Sequence, residues 1–232
     1  MAITLRVVAI IPAVDEEESI GLVLAEVPPI VSEVVVVDNG SRDRTADVAR
    51  AGGARIVAEP RRGYGQACLA GIASAPEADV LLFFDADGSD APAQAADVLA
   101  PILAGEADLV IGSRHLGRRA PGSHPWHAIV GTRLCVGLMN ALIGTRATDL
   151  GPIRAITAEA LRRLDMRDRN FGWTVEMQAK AARHGLRVTE VPVDHRPRAA
   201  GRSKVSGTLS GSLRAGAKIL GTIARHALSG AK

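Results

Sequence analysis

The sequence predicts an α/β domain built on an open, largely parallel sheet with helices on both faces. Two observations carry this expectation: short, β-branched apolar runs alternate with segments of helical spacing through the first half, and the runs end in acids and turn formers. Strands that are apolar on both sides belong to a parallel sheet covered on both faces, and the helical connections make them βα units. With 232 residues, 47% of them hydrophobic, the chain is long and apolar enough to enclose such a core.

Taken in order, Leu5 to Ile11, Glu33 to Val37, Ala54 to Val57, Val80 to Phe84 and Leu109 to Ile111 read as strands. Between them Glu17 to Val27, Asp43 to Ala51, Gly65 to Ala73 and Gln94 to Leu103 carry helical periodicity. The second half is less regular. A helix is expected near Ile129 to Ile143, a short strand at Pro152 to Ile156, a helix from Trp173 to His184 and a strand from Arg187 to Val193. Arg196 to Lys204, rich in Pro and Arg, reads as a loop, and Leu209 to Leu228 as an amphipathic final helix.

The net charge of +3 conceals an asymmetry, because eleven Lys and Arg from Lys180 onward face only Glu190 and Asp194. A basic tail of this kind suits a phosphate-rich partner or a membrane surface. One Tyr, two Trp and three Phe leave few platforms on which bases of a nucleic acid could stack, which argues against that partner. Cys68 and Cys135 lie far apart and form no disulfide framework, as in a reducing compartment. The early apolar run is cut off by Asp15 to Glu18, unlike a signal peptide, and no stretch approaches the roughly 18 uncharged apolar residues of a spanning helix. A cytoplasmic protein, at most peripheral to the membrane, is expected.

In open α/β sheets ligands bind beyond the carboxyl ends of the strands. The first strand ends in Pro12-Ala13-Val14-Asp15-Glu16 and the second in Asp38-Asn39-Gly40-Ser41, so both bring carboxylates to one edge. Singly, these residues serve equally well as turn formers and helix caps. The fourth strand stops at Asp85-Ala86-Asp87-Gly88-Ser89-Asp90, where two carboxylates one residue apart can turn toward one point and supply hard oxygen ligands for Mg²⁺ or Mn²⁺. Asp90 reads as a helix cap. Gly63-Tyr64-Gly65 opens a helix of small residues whose backbone can approach a ligand closely, yet it lacks the phosphate-loop and dinucleotide signatures. Arg61 and Arg62 lie beside a phosphate or in solvent. Arg114 follows the fifth strand, and Arg198, Arg202 and Lys204 occupy the late loop, where guanidinium groups grip phosphate oxygens.

These residues, in this order, resemble the family 2 glycosyltransferases of the GT-A fold, in the branch of polyprenyl-phosphate (dolichyl-phosphate-type) sugar synthases. The stretches that carry the resemblance are IIPAVDEEESI, VVVVDNGSRDRT, RRGYGQACLAG, LLFFDADGSDAP, DLVIGSR, TDLGPIRAI, FGWTVEMQAKAARHGLRVTEVPV and RPRAAGRSKVSGT, spanning most of residues 8 to 208. The resemblance implies an inverting, metal-dependent hexosyltransferase in which Pro12, Glu16 and Asp38 hold base and ribose, with Ala13, Val14, Gly65 and Ala86 beside the nucleotide. It implies Asp85, Asp87 and Ser89 around Mg²⁺ or Mn²⁺, Arg198 on the donor diphosphate, and Ser203 and Lys204 ordering that loop. Arg114 is placed toward an acceptor phosphate and Asp149 where inverting relatives put an acceptor-side carboxylate. Asp87, Asp149 and Arg198 are thus the expected catalytic residues.

Val14 stands where many relatives have an aromatic residue, which leaves uracil and guanine both open, with UDP preferred. No membrane-spanning hairpin follows the catalytic residues in this sequence, so a lipid-phosphate acceptor is expected at the inner membrane face. The expected division is a GT-A domain over 1–206, with a nucleotide-sugar half to about 114 and an acceptor half to 206, and a basic amphipathic helix over 207–232. That helix has three readings: a membrane-surface anchor, a homodimer seam, or a helix packed on its own domain.

Three rivals stand beside this reading. A transferase using a hydroxyl acceptor needs a base, and Asp149 is the candidate. A nucleotidyltransferase would carry a Gly-rich basic stretch after the first strand, where this chain has the acidic Pro12 to Glu18. A non-catalytic nucleotide-sugar-binding protein has no need to keep both Asp85 and Asp87.

Overall fold

The structure, a computed structural model, describes residues 5–123, 126–200 and 209–228. Its strands are β1 (Val7–Ala13), β2 (Glu33–Asp38), β3 (Arg55–Ala58), β4 (Val80–Phe83), β5 (Leu109–Ser113), β6 (Arg154–Thr157) and β7 (Val188–Pro192). They form one sheet in the order β3-β2-β1-β4-β6-β5-β7. The β3-β2-β1-β4 part is parallel throughout, as expected of the first half.

The short strand expected at Pro152 to Ile156 is β6, and it runs antiparallel to both β4 and β5. This departure from a parallel sheet matters for the site. An antiparallel strand begins at the edge where its neighbours end, so the segment entering β6 reaches the carboxyl ends of β4 and β5.

The helices are α1 (Ile20–Ala25), α2 (Thr45–Ala51), α3 (Tyr64–Ala73), α4 (Ala95–Leu103), α5 (Trp126–Ile143), α6 (Ala158–Leu164), α7 (Trp173–Arg183) and α8 (Leu209–Leu228), with a 3₁₀ turn at Pro92–Gln94 leading into α4. Alternation along β1 shows how the core divides. Val7, Ala9, Ile11 and Ala13 face a cluster closed by α1, α2 and α4, whereas Val8 and Ile10 face one closed by α3, α6 and α7. That period of two is the pleat of a strand buried on both sides. Phe83 of β4 lies with its ring centroid 6.0 Å from that of Trp173 on α7.

Two helices differ from expectation. α1 is shorter because its expected first turn is held as a loop by bonds to the segment after β2: Glu16 N–H to Thr45 Oγ1 at 2.8 Å and Glu17 N–H to Asp43 Oδ2 at 3.1 Å. α6 was not expected at all. Its start is marked by Thr157, whose Oγ1 accepts the Ala160 N–H at 3.2 Å, an ordinary N-cap that the sequence displays.

α8 packs against α5 and α7 of its own chain, burying Ala215, Thr222, Ile223 and His226. Ile223 joins Cys135 and Met139 of α5 and Val175 of α7 in a third cluster. Ile219 and Ile223 of the last helix thus pack within the domain, while Leu220 and Leu228 remain exposed. Both cysteines are free and buried. No helix among the described residues is long and apolar enough to cross a membrane. The single sheet runs through the expected boundary at 114, and the boundary at 206 lies outside the described residues.

Candidate active site

The carboxyl ends of β1, β2 and β4 open onto a cleft of about 900 Å³, whose far wall is built by residues from the entry to β6, the start of α7 and α8. Pro12, Ala13, Val14 and Glu16 line it from β1, Asp85, Ala86, Asp87 and Ser89 from β4, and Arg114 and Arg198 complete the polar side. Most of the expected site residues thus meet in one place. Lys204, with Arg202 and Ser203, lies outside the described residues.

The loops after β1 and β2 are clamped to each other. Asp15 has a positive φ of 48°. Its N–H donates to Ser41 Oγ at 3.0 Å and its Oδ1 accepts the Arg42 N–H at 2.7 Å. Asp38 does not line the cleft; its Oδ1 accepts the Ser41 N–H at 2.8 Å and shapes the turn after β2. Asn39 lines the cleft in its place. Its Nδ2 donates to the carbonyls of Glu59 and Arg61, and its Oδ1 accepts the Gly63 N–H at 2.9 Å.

Gly65, expected beside the nucleotide, does not line the cleft. A Cβ there would sit 2.1 Å from the Asp168 carbonyl oxygen, so the backbone before α7 approaches this glycine closely. Tyr64 and Ala67 line the cleft from α3 instead. Of the two arginines before it, Arg61 is paired bidentately with Glu59 at 2.8 and 2.7 Å, and Arg62 lines the cleft.

Three carboxylates crowd the loop after β4. Burial, then the charges of Asp90 and Asp87, push the Asp85 carboxyl well above its ordinary value. Burial and Asp87 push Asp90 up to about 6. Asp90 is no helix cap, since its Oδ2 accepts the Asp85 N–H at 3.1 Å beneath the loop. Asp87 Oδ1 accepts the Ser89 N–H at 2.8 Å, and its Oδ2 takes Arg198 Nη1 at 2.5 Å. The other arm of Arg198 reaches Glu16 Oε1 at 2.6 Å, so this guanidinium bridges the ends of β1 and β4. Backbone bonds from Arg196 N–H to the Ser89 carbonyl and from Ala199 N–H to the Asp87 carbonyl, both 3.0 Å, dock the late loop there.

Among the described residues no three His, Cys, Asp or Glu side chains are gathered as a ready-made metal cage. Asp85 and Asp87 nevertheless fit a divalent cation, because their mutual repulsion in a buried loop is relieved by positive charge.

The Arg114–Asp149 pair behaves differently. Asp149 is fully buried and absent from the cleft lining. Arg114 binds it bidentately, Nε to Oδ2 and Nη2 to Oδ1 at 2.8 Å each, and adds its backbone N–H at 2.9 Å. The Leu150 N–H donates to Oδ1 at 2.7 Å, and His115 Nδ1 lies 3.7 Å away. Burial alone raises this carboxyl, but the hydrogen bonds of Arg114 and His115 and the Arg114 charge outweigh it and hold Asp149 well below the usual carboxylate range. A carboxylate so committed is a poor proton acceptor, and the geometry gives it the task of fixing Arg114.

Several participants escaped the sequence reading. His195, buried after β7, lines the cleft, and burial together with the Arg114 charge pushes it down to about 4. Leu150, Pro152, Phe171, Ala215 and Ile219 form an apolar wall drawn from three separated segments. Arg154 on β6 is fully buried and donates to the carbonyls of Gly151, of Leu150 at 3.4 Å and of Thr174 at 3.3 Å, tying that wall to α7.

The profile of glycosyl transferase family 2 matches residues 8–165. An uncharacterized glycosyltransferase of Mycobacterium tuberculosis is 40% identical over 208 residues, covering 89% of this chain and 93% of the relative. An undecaprenyl-phosphate mannosyltransferase of Micrococcus luteus is 34% identical over 89% of this chain and 90% of its own length. A polyprenol monophosphomannose synthase of Mycolicibacterium smegmatis is 31% identical over 88% and 83%. Among solved structures, glucosyl-3-phosphoglycerate synthase of Mycobacterium tuberculosis in complex with Mn²⁺, UDP and glucosyl-3-phosphoglycerate superposes with a TM-score of 0.77 at 23% identity, over 96% of this chain and 80% of that one.

Proposed function

This chain belongs to glycosyl transferase family 2, and we propose that it transfers a hexose from a nucleoside diphosphate sugar to a polyprenyl phosphate, inverting the anomeric carbon. UDP-sugars are the first candidates for the donor and GDP-sugars the second. The names of the relatives from Micrococcus luteus and Mycolicibacterium smegmatis support a polyprenyl-phosphate acceptor and put mannose among the sugars to test.

The observation that carries the acceptor reading is the commitment of Asp149 to Arg114. A hydroxyl acceptor needs a base, and the carboxylates lining the described cleft are Glu16, Asp85 and Asp87, all on the donor side. A phosphate oxygen is anionic near neutral pH and needs none. Arg114 then holds the acceptor phosphate, with Asp149 fixing its guanidinium so that little orientation is lost on binding. The apolar wall of Leu150, Pro152, Phe171, Ala215 and Ile219 suits the first isoprene units.

At the donor end Pro12 to Glu16 and Asn39 surround the nucleotide, and Arg198 leaves Asp87 and Glu16 to meet the diphosphate. Bound by Asp85 and Asp87, Mg²⁺ or Mn²⁺ would offset the charge that develops on the leaving nucleotide. Attack by the acceptor phosphate oxygen forms the new anomeric bond as the bond to the nucleoside diphosphate breaks on the opposite side. Such chemistry belongs at the inner face of the cytoplasmic membrane, where the phosphate head of the acceptor meets water.

The test is an incubation of the purified chain with Mn²⁺ or Mg²⁺, a panel of UDP- and GDP-hexoses, and either undecaprenyl phosphate or undecaprenol, read by mass spectrometry. Glycosylated undecaprenyl phosphate is the expected product. Transfer to the alcohol with none to the phosphate would sink the acceptor reading.

A further inference from the structure

On the far side of the segment that precedes α7 lies a second concavity of about 710 Å³, formed by the end of α6, residues 165–169, α7 and α8. Arg163, Arg167, Arg169, Lys180, Lys218 and Arg225 face it, against Asp165, Asp168 and Glu176. The three carboxylates are already engaged. Glu176 accepts the backbone N–H groups of Arg167 at 3.0 Å and Asp168 at 2.6 Å and pairs with Lys180 at 2.7 Å. Asp168 accepts the Asn170 N–H at 2.7 Å and pairs with Lys218 at 3.0 Å, and Asp165 holds Arg167.

Arg167, Lys180 and Lys218 share in these pairs, whereas Arg163 and Arg169 are less committed. Arg163 gives one N–H to the His184 carbonyl at 2.9 Å. The Arg169 guanidinium makes no hydrogen bond or ion pair among the described residues. What the basin offers a ligand is therefore a set of N–H forks and an ammonium group in a concave surface, a donor set that matches tetrahedral oxyanions.

We propose that this basin is an anion site for a phosphate-bearing ligand, separate from the donor cleft. The two share walls without sharing residues. Asp168 and Arg169 line the basin while Asn170 and Phe171 line the cleft; on α8, Lys218 and Arg225 face the basin while Ala215 and Ile219 face the cleft. An anion drawn to Arg169 and Lys218 competes with the Lys218–Asp168 pair and acts on the segment and helix that carry Phe171 and Ile219. Occupancy of the basin is thereby coupled to the apolar wall of the cleft.

The experiment uses inorganic pyrophosphate in EDTA as the probe, thermal stability as the readout, and the full chain as wild type, Arg163→Ala with Arg169→Ala, and Arg198→Ala. A ligand that binds only the native state raises its apparent stability. Stabilisation of wild type and Arg198→Ala, with the double variant needing about tenfold more pyrophosphate, is expected. Three results overturn the proposal: no stabilisation of wild type, an unchanged midpoint in the double variant, or loss in Arg198→Ala, which would place the anion in the donor cleft. Because both substituted arginines are exposed, folding of the double variant is expected to be intact and is checked by its unliganded melting point. Co-sedimentation with phosphatidylcholine vesicles, with and without phosphatidylglycerol, then separates the sources. Phosphatidylglycerol-dependent sedimentation that the double variant loses identifies a lipid head group; pyrophosphate binding without sedimentation identifies a free anion.

Discussion

The Asp85–Asp90 loop and the Arg114–Asp149 pair lie at the same edge of one sheet and use the same acidic side chain in opposite electrostatic states. After β4 burial and the neighbouring acidic charges push Asp85 up, and burial and Asp87 push Asp90 up to about 6. Before β6 the Asp149 carboxylate has its cation built in, as Arg114 from the end of β5, and is held down. In the proposed function a metal and a diphosphate complete the first arrangement, whereas the second is already paired and would aim Arg114. Both Asp87 and Asp149 meet an arginine, but Asp149 is fully buried with Arg114 bound bidentately, whereas Asp87 lines the cleft and shares Arg198 with Glu16.

The largest expected effect comes from breaking the completed pair. Asp149→Ala leaves Arg114 buried without its partner, and a loss of about 3–5 kcal/mol is expected by urea denaturation. The sign with pH follows from the depressed carboxyl: this contribution is present above the ordinary value of 3.8 and lost as pH falls below it. Acidification should therefore destabilise the wild type more steeply than Asp149→Ala.

Asp90→Asn should act in the opposite sense. A raised carboxyl makes its native state most favourable below 3.8 and progressively less so as pH rises through about 6. In EDTA near pH 8 the variant is expected to be more stable than wild type by on the order of 3 kcal/mol, with the gain fading toward pH 4. A variant less stable at pH 8 would show that the loop is not under repulsion.

Arg198→Ala should cost about 1.5–3 kcal/mol in nucleoside diphosphate affinity, measured calorimetrically, because a charged hydrogen-bond donor to the diphosphate is removed. Gly65→Ala sharpens the comparison from the structural side. The added Cβ meets the Asp168 carbonyl, and a stability loss of about 1–3 kcal/mol with donor affinity unchanged is expected. Lost affinity at unchanged stability would restore the ligand-contact reading of this glycine.

The donor side was legible because each of its loops follows its strand directly in the chain. Pro12 to Glu16 and Asp85 to Ser89 could be placed at the sheet edge from hydrophobic pattern alone. The acceptor side was not, because its parts meet only through tertiary packing. Asp149 could be singled out by type, but Arg114, its partner 35 residues earlier, reaches it only because β6 enters the sheet antiparallel. The apolar wall assembles Leu150, Phe171 and Ile219 from segments whose sequences read as ordinary loop and helix. α6 is a different case, since the Thr157 cap was visible and went unread. Gly65 shows the converse limit: small residues announce close approach without saying what approaches.

Completion of the acidic loop by a divalent cation and a nucleoside diphosphate together is measured by calorimetric titration of UDP and GDP into wild type, Asp85→Asn and Asp87→Asn, with Mn²⁺ and with EDTA. Binding of one nucleotide by the wild type in Mn²⁺ only is expected, weakened by roughly two orders of magnitude, about 2.7 kcal/mol, in either variant. Equal binding in EDTA, or undiminished binding by both variants in Mn²⁺, would contradict it.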